Sequence, residues 1–561
     1  MNEMMKTAAI AGGAVALAIL ASTMGPKEIK NDLFSDQGQV FFPQFTDPNA
    51  AVDLEVTQFL EGQAEAVKFA VRRDAEGRWT IPSHGNYPAD AKDRMGKAAA
   101  LLIGLKKDQC VGERKEDEVA YGVVDPLDGG ADTKGRGTRV TMKDSAGNVL
   151  ADLIVGKEVE KKMQVRYLRV PGKKRVYAAK LDGEVSTKFA DWIETDLLKA
   201  QSWDIAKVTM DNYSVDETNG TIKKGDVYVA TKDDAGKWAF DGVDPAKEEA
   251  NEDKLREVGD TLGQIKIVGV RKKPEGLTAM LEQATGFDRQ ILRQTLAEKG
   301  YFVANNGKLV SNEGDLLFET KKGVRYTLRF GELVPGSGLD VTSGAADPKS
   351  KPKDGEAPKP GDNRYLMVTA EFAESILKKP TGARLPQDQL DKRATARRDI
   401  EDVQKAVEAF RAKNGNKLPE SLAKLAEKPA EGAALLAELK KDPWGNDYIL
   451  SAVGDSYVVL SYADGNAEAG EGAATDVRSD RLPLEDELKK AADEWTEFDR
   501  KVDEGKKEAE KLTKRFGGWY YVIDGALFQK LKPKREDLVK AKAAEAAAPA
   551  TTPSTGNEPP K

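Results

Sequence analysis

The chain has 561 residues, more than a single hydrophobic core usually supports, so several domains are expected. Its 87 Lys and Arg against 94 Asp and Glu give a net charge of −7, and this mixed, mildly acidic surface argues against a nucleic-acid partner. The chain has one cysteine, Cys110, so no internal disulfide can form. With only one histidine, His84, it also has few residues suited to a zinc site or to Ser-His-Asp or Cys-His catalysis. We expect Cys110 to be a buried, unreactive thiol and His84 to be a turn residue.

The chain opens with an apolar run, TAAIAGGAVALAILASTM, from Thr7 to Met24. About eighteen residues is the short limit for crossing a bilayer. Lys6 favours an uncleaved anchor with the bulk of the chain outside the cytoplasm. The small residues at 16, 18 and 21 also permit a cleaved signal peptide. Both interpretations export the rest of the chain, and no cysteine follows the run to accept a lipid.

The body of the chain repeats itself. FAVRRDAEGRWTI around Trp79 is similar to VYVATKDDAGKWAF around Trp238, and each predicts a hairpin. The segments AKDRMGKAAALLIGL and NEDKLREVGDTLGQI predict a helix in each copy, and ADLIVGKEV later matches YTLRFGELV. The two tryptophans at equivalent positions predict core residues rather than a ligand-stacking pair. The glycine-rich run from Asp128 to Thr138 predicts a loop between strands, because it lacks the Gly-Lys-Ser/Thr ending of a phosphate loop.

The second copy is interrupted. The first copy closes with VYAAKLDGEVSTKFADWIETDLLK, which predicts a strand, a turn and an amphipathic helix. Its counterpart, WYYVIDGALFQKLKPKREDLVK, follows Leu366 only after a long intervening stretch. We therefore predict that Ala370 to Phe516 is inserted between two strands of the second copy.

These repeated segments resemble an uncharacterised family of membrane-anchored envelope proteins, often encoded beside gliding-motility-type ABC transporters. The resemblance rests on the apolar start, the DAEGRW and DDAGKW hairpins, YGVVDP, IVGKE and RFGGWYYVIDG, and it covers roughly residues 30–390 and 514–540. It implies an envelope location, with ABC transporter subunits as partners. It implies no active site, because the family has none assigned.

Inside the insertion, ATARRDIEDVQKAVEAFRAKNG has the apolar spacing of one helix face and ends at Asn414-Gly415. LPESLAKLAEK predicts a second helix after Leu418. A turn at DPWGNDY and two short strands follow, and then a glycine-rich acidic loop. A long helix returns to the body, and we expect it to pack on the incoming helix as a stalk. Its heptad-like face comprises Leu488, Trp495, Phe498, Val502, Ala509 and Leu512.

The insertion resembles the globular domain of the type II secretion major pseudopilin. The matching positions are, in order, Asp399-Ile400, Phe410, Asn414-Gly415, Leu418-Pro419, Leu422, Asp442-Pro443-Trp444-Gly445-Asn446, Tyr448, Ser461, Asp464-Gly465, Gly470-Glu471-Gly472 and Asp476-Val477. The resemblance implies a structural calcium ion in the closing loop. Its side-chain ligands would be Asp464 and Asp476, with Ser461 and backbone carbonyls completing the shell. Glu468 and Glu471 are auxiliary candidates, and the alternative is a solvated acidic turn that binds no ion.

Two departures from the pseudopilin pattern bear on this site. Only Tyr462-Ala463 separates Ser461 from Asp464, one residue fewer than in the family, and Ser479-Asp480 replaces an expected aromatic residue.

The start of the chain, MNEMMKTAAIAGG, also lacks the Gly-Phe-Thr-Leu-Ile-Glu pattern of a pilin. We therefore expect a reused interaction domain rather than a filament subunit.

Together these patterns predict an α+β protein with an N-terminal transmembrane helix, two tandem α+β repeats and a pseudopilin-like α+β domain inserted on a helical stalk in the second repeat. The expected divisions are 1–26 for the anchor or signal segment, 27–200 for the first repeat, 201–389 for the first part of the second, 390–482 for the inserted domain, 483–516 for the return helix, 517–540 for the closing strand and helix, and 541–561 for a disordered tail.

The favoured function is a non-catalytic scaffold or accessory protein of the inner membrane, with its bulk in the periplasm. It would serve an ABC-type transport or surface-assembly system, and calcium would rigidify its interaction domain. The alternatives are a component of a type II-like secretion apparatus and, least favoured, an envelope-polymer hydrolase with paired carboxylates.

Overall fold

The computed structural model describes residues 2–23, 35–61, 64–130, 133–194, 196–216, 221–274, 277, 286–304, 307–334, 341–342, 362–454, 456–465 and 475–542. Helix α1 (Glu3–Thr23) opens the described chain. Its span Glu3–Ser22 is long and apolar enough to cross a membrane, a test that a signal sequence near the N-terminus also passes. The predicted apolar helix is therefore present, and the anchor and the signal sequence remain alternatives. The predicted disordered tail was 541–561; Ala541 instead ends the last strand, and residues 543–561 lie outside the described residues.

The first repeat is built on nine antiparallel strands. They are β1 (Asp53–Leu60), β2 (Glu65–Arg73), β3 (Trp79–Ile81), β4 (Tyr87–Pro88), β5 (Gln109–Gly112), β6 (Thr138–Lys143), β7 (Val149–Glu158), β8 (Val165–Arg169) and β9 (Val176–Lys180). In the sheet they lie in the order β4-β3-β2-β1-β6-β7-β8-β9-β5. The α-helices among the described residues of this repeat are α2 (Lys92–Leu102) and α3 (Lys115–Tyr121).

The second repeat contributes a larger set of strands, and two of its helices are described along their length before the insertion. The strands before the insertion are β10 (Ile205–Asp211), β11 (Ser214–Asp216), β12 (Thr221–Lys223), β13 (Val227–Lys232), β14 (Trp238–Phe240), β15 (Glu248–Ala250), β16 (Ile267–Lys272), β17 (Tyr301–Val303), β18 (Leu309–Ser311), β19 (Asp315–Thr320), β20 (Val324–Val334) and β21 (Asn363–Phe372). The helices are α4 (Glu252–Gly263) and α5 (Gly286–Ala297).

The inserted domain is small. It comprises α6 (Gln387–Lys413), the short α7 (Ala423–Ala426) and a three-stranded sheet of β22 (Ile449–Val453), β23 (Ser456–Ser461) and β24 (Val477–Arg478). The predicted second helix after Leu418 is thus reduced to about one turn. The chain then returns through α8 (Leu482–Gly517), β25 (Trp519–Ile523), α9 (Gly525–Leu531), α10 (Arg535–Leu538) and β26 (Val539–Ala541).

The two large sheets have the same topology. The second runs β14-β13-β10-β19-β20-β21-β25-β16, which follows the order of β3-β2-β1-β6-β7-β8-β9-β5 strand for strand. The register agrees as well, because Leu168 pairs with Tyr177 in the first sheet and Leu366 with Tyr521 in the second. Strand β25 therefore completes the second sheet from the far side of the insertion, as the sequence similarity predicts.

The hairpins that carry the two tryptophans are also alike. Asp74 accepts a hydrogen bond from the Arg78 amide, and Asp233 accepts one from Lys237, each at 2.8 Å. Gly77 and Gly236 supply the positive φ that each turn needs. Trp238 is buried and Trp79 packs on the same core from a half-buried position, so both are core residues.

The return helix α8 has the predicted apolar face but a different packing partner. Ala509, Leu512 and Phe516 join the main core, and Thr513 bonds to the carbonyl of Ala370 on β21 at 2.9 Å. Gly505 lets the helix approach the Lys322 carbonyl closely, because a Cβ there would lie 2.6 Å from that oxygen. The helix therefore rests mainly on the second sheet and meets α6 near its own first turns, rather than pairing with α6 as a stalk.

His84 lies in a turn, as expected, and it is also buried: it is 2% exposed and its ring stacks on Phe189 with ring centroids 4.5 Å apart. One further expectation needs correction. The first repeat does not close with an amphipathic helix. After β9 the described residues form only a 3-10 turn, Phe189–Asp191. Cys110 is buried as expected, and burial raises the pKa of its thiol.

Candidate metal site in the inserted domain

The inserted domain has a hydrophobic core of its own. One face of α6 is buried, and its residues Ala396, Ile400, Val403, Ala406 and Val407 pack against α7 and the three-stranded sheet. Tyr448 adds a polar contact to this core, because its hydroxyl donates a hydrogen bond to Asp399 on α6 at 2.9 Å. Burial, with Asp399 beside it, raises the pKa of Tyr448 well above its usual range, so the hydroxyl keeps the proton that it donates.

The Asp-Pro-Trp-Gly-Asn segment is a turn organised by its first residue. One oxygen of Asp442 accepts hydrogen bonds from the amides of Trp444 and Asn446, at 3.1 and 2.7 Å. Gly445 has φ +94°, a conformation that glycine adopts without strain. The Trp444 indole donates to Gln389 at 2.9 Å, which ties the turn to α6.

The same aspartate connects the turn to the acidic loop. Ser461, fully buried at the end of β23, donates its hydroxyl proton to the second oxygen of Asp442 at 2.6 Å. The hydroxyl oxygen also accepts from the amide of Ala463 at 3.0 Å. Asn446 adds a side-chain contact to the carbonyl of Ala463 at 3.4 Å. The hydroxyl of Ser461 thus holds Asp442 and the start of the loop, a structural task separate from its predicted role as a ligand.

The described residues place both predicted aspartates at one end of the small sheet. Ser461 pairs with Val477, so Asp476 lies one residue beyond that pair, and it is 5% exposed. Asp464 follows Ser461 in a short 3-10 turn, Ala463–Gly465, and is exposed. The auxiliary candidates Glu468 and Glu471 lie outside the described residues. The structure therefore brings the two ends of the acidic loop together.

The donor chemistry suits a hard cation. Carboxylate, carbonyl and hydroxyl oxygens are what calcium takes, and it needs six to eight of them. Within the ranges that the structure describes, no group of three or more His, Cys, Asp or Glu side chains could hold a metal ion. A calcium ion held by Asp464 and Asp476 would therefore draw further oxygens from backbone carbonyls or from residues 466–474.

A buried ion pair fixes the far end of the loop. Arg393 on α6 contacts Glu485 on α8 through two hydrogen bonds of 2.9 and 2.6 Å, and the two side chains are 2% and 8% exposed. The same guanidinium donates to the carbonyl of Thr475 at 2.6 Å. One side chain thus joins the incoming helix, the return helix and the residue before Asp476.

Sequence reasoning missed the roles of three residues in this region. Asp442 was visible as part of a turn motif, since Asp before a tight turn commonly bonds to amides two residues on, but its bond to Ser461 has no local signal. Arg393 and Glu485 are 92 positions apart, and nothing in the sequence links one to the other. The one available signal was that Arg393 lies on the same helix face as Ala396 and Ile400, where an apolar residue is expected.

The architecture defines a tandem α+β body that carries a pseudopilin-type inserted domain. Comparison with known families agrees in both parts. Residues 79–280 match a family model described as a domain of unknown function (DUF4340). Residues 385–480 match the model described as type II secretion system (T2SS), protein G. No curated protein matches the chain. The two predicted resemblances are thereby confirmed in these ranges, and an association with ABC transporters stays a prediction.

Proposed function

We propose that this protein is a non-catalytic scaffold of the cell envelope, held in the inner membrane by α1, with its bulk in the periplasm. The body would support an ABC-type transport or surface-assembly system, and the inserted domain would be its contact module. The observation that carries the proposal is the insertion itself. A domain with its own core is inserted between the neighbouring strands β21 and β25 of the second sheet.

The packing of α8 supports a contact role. The helix packs on the second sheet through Ala509, Leu512 and Phe516, and its first turns contact the inserted domain through Glu485. A buried ion pair and a packed helix fix orientation better than a flexible linker does. A partner bound to the inserted domain would therefore be held at a defined orientation relative to the body.

Calcium forms part of the same proposal. Asp464 and Asp476 would bind the ion through their carboxylates, and Ser461 would add its hydroxyl oxygen or, through Asp442, hold the start of the loop in place. The ion would neutralise the carboxylates and rigidify the loop between the two ends that the structure brings together.

The test is co-purification from gently solubilised membranes. We expect ABC transporter subunits to accompany the full chain. They should be lost from a variant in which residues 390–479 are replaced by a short Gly/Ser linker. That variant should also carry Glu485→Ala, because the deletion would otherwise leave a carboxylate without its buried arginine. Full recovery of the subunits by the deletion variant would refute the contact role of the insertion.

A second candidate has a specific observation behind it. The match of residues 385–480 to the type II secretion system protein G favours a component of a type II-like secretion apparatus. The same experiment separates the two proposals, because a secretion ATPase and pseudopilins would then accompany the chain in place of ABC subunits. Purification of the chain alone, under several detergents, would count against both.

A further inference from the structure

The first repeat contains a groove at one end of its sheet. A cavity of about 440 Å³ opens there, lined by the ends of β1, β6, β7 and β8 and by the last turn of α2. Its apolar wall comprises Leu101, Leu102, Val140, Val155 and Leu181. Charged side chains also border the cavity, among them Arg166, which is 27% exposed and forms an ion pair with Glu184. A partly open cavity of this size, apolar along one wall, can receive an aromatic side chain.

The second repeat shows what fills the equivalent space. There, Phe528 of α9 packs on Phe330 with ring centroids 5.1 Å apart, and the guanidinium of Arg364 lies 4.5 Å from the Phe528 ring centre. Arg364 is 3% exposed, so α9 covers it.

The two arginines occupy matching positions. Arg166 pairs across the sheet with Ala179, and Arg364 with Ile523. Each donates to the carbonyl of the matching glycine, Gly156 at 3.3 Å or Gly331 at 2.6 Å. The groove in the first repeat is therefore the counterpart of the α9 binding surface in the second.

Among its described residues, the first repeat supplies no helix for this surface. Residues 181–188 follow β9 without forming a helix or a strand. Glu184 and Val185 reach the groove from this segment, Glu184 as the ion-pair partner of Arg166, and the cavity stays open beside Leu101. The predicted closing helix is missing in the place where its twin packs in the second repeat.

The charges on the two helices beneath these surfaces are opposite. Glu257 on α4 lies 3.7 Å from Lys530 of α9. Helices α2 and α4 start at matching positions, and counting from their N-caps, Ala91 and Asn251, places Lys97 where α4 has Glu257. A helix that covered the first groove would therefore meet a cation where α9 meets a carboxylate.

From these observations we infer that the groove binds a short amphipathic helix of a partner protein, which inserts an aromatic side chain between Val155 and Arg166 and places a carboxylate two residues later beside Lys97. Helix-in-groove recognition of this kind reads one apolar face of the helix. The inference extends the proposed scaffold function to a second contact surface, outside the inserted domain.

The test uses the full chain in detergent and labelled, helix-stapled peptides derived from residues 524–531. We expect the peptide with Lys530→Glu to bind in fluorescence anisotropy. Adding Phe528→Ala should weaken binding about thirtyfold, the loss typical of an aromatic hot spot. The unmodified peptide, with its lysine, should bind about three- to fivefold more weakly than the Lys530→Glu form, as expected for a solvent-exposed charge pair.

Variants of the protein locate the site. Lys97→Glu should reverse the preference between the two peptides, and Leu101→Arg should abolish binding. Ile291→Arg, at a position that is 47% exposed on α5, is the matched control and should leave binding unchanged.

Three outcomes would overturn the inference. The first is no binding at high micromolar peptide concentration. The second is binding whose affinity is unchanged by Phe528→Ala in the peptide or by Lys97→Glu in the protein. The third is a dimer in solution that Leu101→Arg converts to a monomer, because the occupant would then be a second copy of this chain. Each of these can occur while transporter subunits still co-purify through the inserted domain, so failure here is distinct from failure of the proposed function.

Discussion

The Arg393–Glu485 pair should be the most important polar contact of the inserted domain. Replacing Glu485 by leucine removes a bidentate carboxylate from a guanidinium that is 2% exposed. Breaking a buried pair from one side typically costs about 3–5 kcal/mol. Arg393→Met should cost at least as much, because it leaves the Glu485 carboxylate buried and also removes the hydrogen bond to the Thr475 carbonyl.

The double variant makes the reasoning quantitative. With Arg393→Met and Glu485→Leu together, no charge remains from the pair, and the main loss is the bond to Thr475, about 1–3 kcal/mol. The double variant should therefore be more stable than either single variant. The coupling between the two positions should be about 3 kcal/mol or more.

Hydrogen exchange read by mass spectrometry is the suitable assay. Several domains share this chain, so a single free energy of unfolding is not defined for it, whereas amide exchange in β22, β23 and α6 reports the opening of the inserted domain. Arg397, one turn further along α6, pairs with Asp486 at 2.6 Å on the surface and provides the control. Arg397→Met should cost less than about 1 kcal/mol. An equal cost for Arg393→Met and Arg397→Met, or a double variant worse than both singles, would refute the argument.

Three further predictions concern pH, packing and calcium. Burial lowers the pKa of His84 to about 4, so the unfolded state binds a proton between pH 6.5 and 4 that the native state does not. The free energy of opening read by hydrogen exchange in β2 and β3 should therefore fall by about 3 kcal/mol across that window, and His84→Phe should show a smaller fall. Gly505→Ala forces a Cβ against the Lys322 carbonyl and should cost about 1–3 kcal/mol, whereas Gly517→Ala meets no atom within 4 Å and should be neutral or stabilising in thermal denaturation. Millimolar calcium should raise the melting temperature of the full chain, and Asp464→Ala with Asp476→Ala should abolish the rise.

Each of these has a result that would contradict it. If stability depended on pH identically in His84→Phe and in the parent chain, the titration of His84 would not be the cause of the fall. Equal melting temperatures for the two glycine variants would show that α8 can shift away from the sheet without cost. A melting curve that calcium leaves unchanged would remove the metal from the proposed function.

Much of the fold could be predicted because the chain contains two copies of the same α+β repeat. The hairpins before Trp79 and Trp238 share their Asp and Gly positions, and such local turn chemistry survives without knowledge of the neighbours. The interrupted second repeat was equally visible, since WYYVI is a continuous run of aromatic and β-branched residues, which predicts a buried strand wherever it lies in the chain. Periodicity also gave the buried face of α8, although not the surface on which that face lies.

The remainder depended on contacts between distant segments. The burial of His84 follows from Phe189, about a hundred residues later, so nothing in SHGNYP could reveal it. The closing helix of the first repeat was wrongly predicted, because Phe189, Trp192 and Ile193 are buried in the main core from a 3-10 turn rather than from one face of a helix. The predicted ligands Asp464, Asp476 and Ser461 do lie at one end of the small sheet. The bond between Ser461 and Asp442, however, could not be read from residues 19 positions apart.

The position of β25 has a consequence for the order in which the chain is made. Strand β16 has β25 as its neighbour in the second sheet, so it must wait for residues that leave the ribosome about 250 positions later, a delay of roughly 12–50 s at ordinary rates of synthesis. During that interval the edge of β21 is also unpaired, and such edges invite association with other chains. The inserted domain, which has its own core, can fold while the sheet that carries it is still open. Folding of this protein therefore leaves the second sheet incomplete, with β16 and β21 lacking their shared neighbour, until the last strand arrives.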